Sequence, residues 1–175
     1  MPGLEFDLNP VSRITTGAIG PPGQRVFYLQ GRHDSTLVTL IVEKMQIQSL
    51  AVGLEQFLLE LNQQYPDLPE AVAAYTEPEM ELEQPIDPAF RVGQLGLGFD
   101  RPTDRVVVVA HELVPEGDDP DQASIARFWC SRSQLRALGQ WGLELAGRGR
   151  PICGNCGEPM DPEGHFCPRS NGHKH

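Results

Sequence analysis

The sequence has little positive charge and no long apolar run. Its 175 residues carry 14 Lys and Arg against 24 Asp and Glu, a formal net charge of −10. This balance argues against a protein that binds nucleic acid or an anionic membrane through bulk charge. No uncharged apolar stretch approaches the roughly 20 residues that a membrane-spanning helix needs. The first residues lack the basic and apolar regions of a signal peptide, so we expect a cytoplasmic protein.

Cysteine is also scarce. The chain has four, and three of them, Cys153, Cys156 and Cys167, fall in its last quarter. A disulfide framework is typical of small secreted domains, and no export signal is evident here. We therefore interpret the three as reduced thiolates at metal-ligand spacing. The fourth, Cys130, follows a tryptophan on a predicted core strand, and we expect a buried, unreactive thiol.

The apolar periodicity predicts an α+β domain over residues 1–150, made of two strand–strand–strand–helix halves. Its helices would pack on one face of a mainly antiparallel sheet. The first half, residues 10–66, has predicted strands at 12–19, 25–30 and 36–43 and a helix at 45–64. The second half, residues 89–148, has predicted strands at 90–99, 105–113 and 124–130 and a helix from Ser131 or Ser133 to about Gly147.

The two halves also match in part residue by residue. Arg25-Val26 resembles Arg105-Val106, and Lys44-x-Gln46-x-x-x-Leu50 resembles Arg132-x-Gln134-x-x-x-Leu138. We interpret these matches as an internal duplication. The alternative is that alternating strands and helices make short segments look alike by chance.

An acidic, proline-rich linker, residues 67–88, separates the halves. Residues 45–90 contain nine acidic side chains and no Lys or Arg. A charge run of this kind is typical of a solvated surface.

Residues 151–175 are predicted to form a zinc-ribbon-like tail. Cys153-x-x-Cys156 followed by glycine lets the chain turn so that both sulfurs meet one ion, and Cys167 supplies a third thiolate. We favour His165 as the fourth ligand because a glycine turn delivers it together with Cys167, and His173 is the alternative. Three thiolates and an imidazole suit Zn²⁺, whereas an iron–sulfur cluster usually takes four cysteines. A closed four-ligand site is structural, since catalysis needs an open position.

The tail motif Gly164-His165-x-Cys167-Pro168-Arg169-x-Asn171-Gly172 resembles an uncharacterised bacterial family, a domain of unknown function found mostly in actinobacteria and Chloroflexi. The segment Arg127-Phe128-Trp129-x-Ser131-Arg132-x-Gln134 resembles the same family. The resemblance implies a small cytoplasmic protein with a Cys/His metal tail and brings no established activity.

Positive charge gathers near the start of the second predicted helix. Arg132 and Arg136 are one helical turn apart there, where backbone N–H groups favour anions. Lys44 is the counterpart in the first half, and Arg169 could join the patch. Side chains that would converge on an anion are Lys44, Gln46, Arg132, Gln134, Arg136 and Arg169.

Two functions follow from these patterns. The first is a zinc-stabilised module that binds a small anionic ligand or a partner protein, favoured because no convincing nucleophile and base pair is evident. The alternative is an enzyme acting on a phosphorylated or other anionic metabolite in a cleft between the two halves.

Overall fold

The computed structural model describes residues 3–21 and 23–148. Within them the chain forms an α+β fold whose core is mostly sheet, as predicted. The strands are β1 (Glu5–Leu8), β2 (Arg13–Ile19), β3 (Val26–His33), β4 (Thr36–Val42), β5 (Pro88–Asp100), β6 (Arg105–Glu112) and β7 (Ile125–Cys130), and the α-helices are α1 (Lys44–Gln64) and α2 (Arg132–Gly147). Short 3₁₀ helices lie at Glu77–Met80 and Pro120–Gln122. No α-helix in this part of the chain is long and apolar enough to cross a membrane.

The strands form one sheet in the order β1-β7-β6-β5-β4-β3-β2. Most neighbours are antiparallel, as predicted, but β4 pairs with β5 and β1 with β7 in parallel. β1 is not predicted by the sequence, because its four residues include two acids and carry no strong strand pattern.

The sheet curls until its two edges meet. β1 and β2 are consecutive in the chain and run in the same direction. Between them, the Val11 N–H donates to the Trp129 carbonyl of β7 (2.8 Å), and the Ser12 N–H donates to the Arg32 carbonyl of β3 (2.8 Å). Across the interior, a Cβ on Gly31 of β3 would lie 2.5 Å from the Phe128 ring of β7. Glycine therefore permits the close approach of these two strands.

The two helices lie side by side and antiparallel on the concave face of this sheet. Their contacts run in opposite chain directions: Gly142 lies against Ile47, and Gly139 lies against Ala51. The buried faces are those predicted from the periodicity, including Leu54 and Leu58 of α1 and Leu135, Leu138 and Trp141 of α2. As a result, the N-terminus of each helix lies beside the C-terminus of the other.

Both helices begin with the same capping arrangement. In α1 the Glu43 backbone N–H donates to Gln46 Oε1 (2.8 Å), and in α2 the Ser131 N–H donates to Gln134 Oε1 (2.8 Å). Each N-cap side chain accepts in turn from the backbone of the residue three positions later. These reciprocal bonds satisfy N–H groups that a helix start leaves unpaired.

Aligning the halves on these caps shows which strand residues are equivalent. Val42 and Cys130 each precede an N-cap by one residue, and they pair with Phe27 and Val106 respectively. Phe27 is therefore the counterpart of Val106. The sequence match that aligned Val26 with Val106 is wrong by one residue, because it would exchange the two faces of the strand.

The same alignment makes β1 and β2 together the counterpart of the single long strand β5. Leu8 of β1 pairs with Phe128, just as Phe90 of β5 pairs with Leu40. β5 has a bulge between Val92 and Gln94, near the position where the other half passes from β1 to β2. Each half is therefore a strand–strand–strand–helix unit, and the first half begins with β1.

The acidic linker is more than a solvated run. Its carboxylates are largely exposed, but Ala71 and Met80 are buried, and the linker packs against the domain. On the convex face of the sheet, the Gln30 side chain bonds the backbone of Glu83 through both its Nε2 (3.0 Å) and its Oε1 (2.7 Å). Glu83 also pairs with Arg32 at 3.0 Å.

Candidate binding groove

The predicted zinc ligands lie outside the described residues. Cys153, Cys156, His165, Cys167 and the alternative His173 all belong to residues 149–175. Arg169 of the predicted anion patch falls there too. Within residues 3–21 and 23–148, no group of three or more His, Cys, Asp or Glu side chains is arranged to hold a metal ion.

Arg132 is committed to structural contacts. Its guanidinium pairs with both oxygens of Asp104, at 2.8 and 3.0 Å, and donates to the Pro69 carbonyl at 2.7 Å. The residue is only 6% exposed. The hydrogen bonds that Arg132 donates to Asp104 raise the pKa of the guanidinium. Because these N–H groups are already engaged, the guanidinium has few donors left to bind a ligand.

Arg136 and both glutamines are also engaged. Arg136 donates to the Ala71 carbonyl at 2.7 Å and pairs with Glu55 at 3.4 Å. Besides its capping role, the Gln46 amide donates to the Val92 carbonyl (3.0 Å), and the Gln134 amide donates to the Val11 carbonyl (3.2 Å). The repeated Lys/Arg-x-Gln junction thus joins each helix start to the break in the neighbouring strand.

The predicted convergence of the two junctions does not form. Because α1 and α2 are antiparallel, Lys44 and Arg132 lie at opposite ends of the helix pair. With a rise of about 1.5 Å per residue, the helix contacts separate them by on the order of 20 Å along the axes. A single small anion cannot contact both junctions at once. The physical reason is a helix orientation that strand and helix patterns do not encode.

A large cavity lies at the first of these junctions, between the N-terminal half of α1 and β5. It is an open groove of about 760 Å³, within the usual range for small-molecule sites. One wall is the first turns of α1, residues 43–53, and the other is residues 93–97 of β5. Its apolar side chains are Met45, Leu50, Leu95 and Leu97. We call this space the α1 groove.

Glycine keeps the α1 groove open. A Cβ built on Gly53, on the helical wall of the groove, would meet nothing within 4 Å. Gly93, at the β5 bulge, is different, because its Cβ would lie 2.8 Å from Leu113 Cα. The sequence pattern Gly93-x-x-Gly96-x-Gly98 correctly indicated a bulge and a close approach, but it could not show that a helix faces these glycines. A glycine-rich strand opposite a helical glycine was the available signal.

Lys44 is the residue of the predicted anion patch that remains available. It is the first residue of α1, half-buried, and it lines the α1 groove. Among the Lys and Arg residues in the described part of the chain, it is the one whose side chain makes neither an ion pair nor a hydrogen bond. Lys44 is therefore unpaired among residues 3–21 and 23–148, at the α1 N-terminus, where backbone N–H groups add a partial positive charge.

Cys130 has the environment that the sequence predicts. It is fully buried on β7, and burial raises the pKa of its thiol far above the usual range. The nucleophilic thiolate is therefore suppressed at neutral pH.

One comparison with known proteins identifies relatives. A family model described as "Protein of unknown function (DUF3090)" matches residues 6–167. The searches of curated proteins and of solved structures found no match. The family match confirms the resemblance to an uncharacterised family and covers both halves of the fold.

Proposed function

The chain belongs to this family of unknown function, and from its groove and its tail we propose that it is a zinc-stabilised binding module. Its ligand is a small molecule with an apolar body and an anionic group. The apolar body lies in the α1 groove, and the anionic group pairs with Lys44. The module works in the reducing cytoplasm, where the tail cysteines stay available as thiolates.

The unpaired Lys44 ammonium is the observation that carries this proposal. The Arg side chains of the described residues bond carboxylates, backbone carbonyls or, for Arg105, the Asn9 amide oxygen, and the equivalent Arg132 pairs with Asp104. An anion in the groove can pair with Lys44 without displacing a carboxylate or carbonyl of the part of the chain that the structure describes. The neighbouring leucines and Met45 supply apolar area for the rest of the ligand.

The zinc belongs to the tail. Cys153, Cys156 and Cys167 with His165, or with His173, offer the soft thiolates and the imidazole that zinc prefers. When bound, the ion would order a short polar segment that has too few apolar residues to fold by itself. A partner protein is the second candidate occupant of the groove. The enzymatic alternative required the two junctions to converge, and it has no supporting observation of this kind.

The ligand proposal is tested with an amphipathic anion as the probe. Calorimetry with octyl phosphate below its micelle concentration, and with 1-octanol as the neutral counterpart, measures whether the charge matters. We expect octyl phosphate to bind and octanol to bind more weakly. Lys44→Met should weaken the phosphate affinity by about tenfold, roughly 1.4 kcal/mol. Arg127→Met is the matched control, because it removes one positive charge on β7 outside the groove. No binding by the native chain, or an equal loss in both variants, contradicts the proposal.

The zinc proposal is tested by elemental analysis of the full chain. Cys156→Ser should bring the zinc content from a single ion per chain to near zero. Cys130→Ser is the control, since that thiol is buried in the sheet, and it should keep its zinc. Full retention of zinc by Cys156→Ser would overturn the assignment.

A further inference from the structure

The α1 groove has an equivalent in the other half, between α2 and β2, which we call the α2 groove. It is lined by Ser131, Ser133 and Gln134 of the α2 start and by Arg13 and Ile14 of β2. These positions correspond to those that line the α1 groove, once the halves are aligned on their helix caps and strand registers. The α2 groove differs in one respect, because a segment of the chain itself covers it.

That covering segment is the linker that follows α1. The chain leaves α1 beside the start of α2, where the Pro69 carbonyl accepts from Arg132. The Val72 N–H then donates to Ser133 Oγ at 3.0 Å, and the Tyr75 ring packs against Trp141 with 6.2 Å between centroids.

Further along, the linker anchors itself over β2. Met80 is buried, and its carbonyl accepts from Thr15 Oγ1 at 2.6 Å. Leu82 lies over Gly17, where a Cβ would come within 2.4 Å of Leu82 Cγ. A space of about 490 Å³ remains at the covered groove.

No segment of residues 3–21 or 23–148 packs along the α1 groove at the positions equivalent to those that the linker contacts in the α2 groove. The counterpart of Ser133 is Met45, which is 74% exposed. The counterpart of Trp141 is Gly53, and the counterpart of Thr15 is Gly96, both facing open space. A strongly exposed methionine above an apolar groove indicates a surface that lacks its cover.

The C-terminus of α2 lies close to the α1 groove, so the segment that follows α2 starts beside it. Gly142 packs on Ile47 in the first turn of α1, and the Arg25 guanidinium bonds the carbonyls of Leu145 and Arg148 where α2 ends. The chain therefore emerges beside the open end of the α1 groove, as the linker emerges beside the α2 groove.

The same segment also has the required length and a candidate anchor. Residues 65–83 are enough to cover the α2 groove and cross β2 and β3, and residues 149–175 form a longer segment. The linker carries Glu77-Pro78 shortly before its buried Met80, and the tail carries Glu158-Pro159 directly before Met160.

We propose that residues 149–175 dock along the α1 groove, in the way that the linker packs along the α2 groove. Met160 is the apolar anchor of this contact. This docking does not need the small ligand, so it stands or falls separately from the ligand proposal.

The test is photo-crosslinking in the full, zinc-loaded chain without added ligand. Benzoylphenylalanine replaces Met45 in the groove or, as the control, Leu59, which is 52% exposed on the same helix and about 20 Å further along it. We expect position 45 to crosslink within the same chain to residues 149–175, with several-fold higher yield than position 59. Equal yields, or no crosslink into residues 149–175, would falsify the docking. A crosslink between two chains would assign the groove to a dimer interface instead and would also overturn it.

A second variant tests the anchor. Met160→Asp places a charge where the proposal requires an apolar contact, at a position between the predicted zinc ligands Cys156 and His165 that is not itself a ligand. It should lower the yield from position 45 several-fold while the zinc content stays unchanged. An unchanged yield contradicts Met160 as the anchor, and circular dichroism of each variant verifies that the domain is folded.

Discussion

The α1 and α2 grooves are lined by equivalent positions of the two halves, but the side chains at these positions differ. Both are framed by a capped helix start and by a glutamine that bonds the break in the neighbouring strand. The α2 groove holds a tryptophan, an arginine–aspartate pair and a covering segment, whereas the α1 groove has Gly53, an unpaired Lys44 and open space. The frame is therefore repeated, and the residues inside it determine whether a groove serves stability or is free to bind.

The largest expected difference between the grooves concerns Trp141 and Gly53. Trp141 is buried against Tyr75, and its indole N–H donates to the Thr16 carbonyl at 2.8 Å. Trp141→Ala should lower the free energy of unfolding by about 3–5 kcal/mol, because it leaves a large cavity and an unpaired carbonyl. Gly53→Ala should raise it by roughly 0.5–1 kcal/mol, because alanine favours a helix interior and its Cβ meets open space.

Urea denaturation of both variants measures this contrast. If Gly53→Ala were as destabilising as Trp141→Ala, the α1 groove would be a packed region of the folded chain rather than an open one. If Trp141→Ala had little effect, the linker would not be part of the cooperative unit.

The second contrast is between Arg132 and Lys44. Arg132→Leu should cost about 2–3 kcal/mol of unfolding free energy, because it removes the paired hydrogen bonds to Asp104 and the bond that holds the linker at Pro69. Lys44→Leu should change stability by less than about 0.5 kcal/mol, since the side chain has no partner to lose among the described residues. Thermal and urea unfolding of the two variants distinguish these outcomes. A large cost for Lys44→Leu would mean that this ammonium has a structural partner after all.

The sequence predicted the elements of the fold well where periodicity is strong. The helical faces with Leu54 and Leu58, or with Leu135 and Leu138, repeat at helical spacing, and the valine run of β6 is typical of a central strand. β1 was missed because four residues with two acids acquire their structure only by pairing with β7. The linker was predicted to be solvated because its charge pattern is visible in the sequence, whereas the burial of Met80 depends on the distant strand β2.

The candidate site was harder to predict, since it depends on how distant elements are oriented. The two Lys/Arg-x-Gln junctions were correctly seen as equivalent, but their convergence required helices that run parallel, and the helices are antiparallel. Spacing likewise could not show that Arg132 meets Asp104, because that contact joins a helix start to a turn between two strands. The open groove itself arises from glycines on two elements that the sequence places far apart.

The smallest expected difference in unfolding free energy is between Gln46 and Gln134, the capping glutamines that both grooves share. Gln46→Ala and Gln134→Ala each remove one capping hydrogen bond and one bond to a neighbouring strand, so each should cost about 1–2 kcal/mol of unfolding free energy. The two costs should agree within about 0.5 kcal/mol, because Gln46 exceeds Gln134 only by a long 3.5 Å bond to the Gly93 carbonyl. Urea unfolding with a common m-value makes the comparison. A negligible cost for Gln46→Ala beside a full cost for Gln134→Ala would break the equivalence of the two frames. In that case the role of Gln46 would be to bind a ligand in the α1 groove rather than to stabilise the fold.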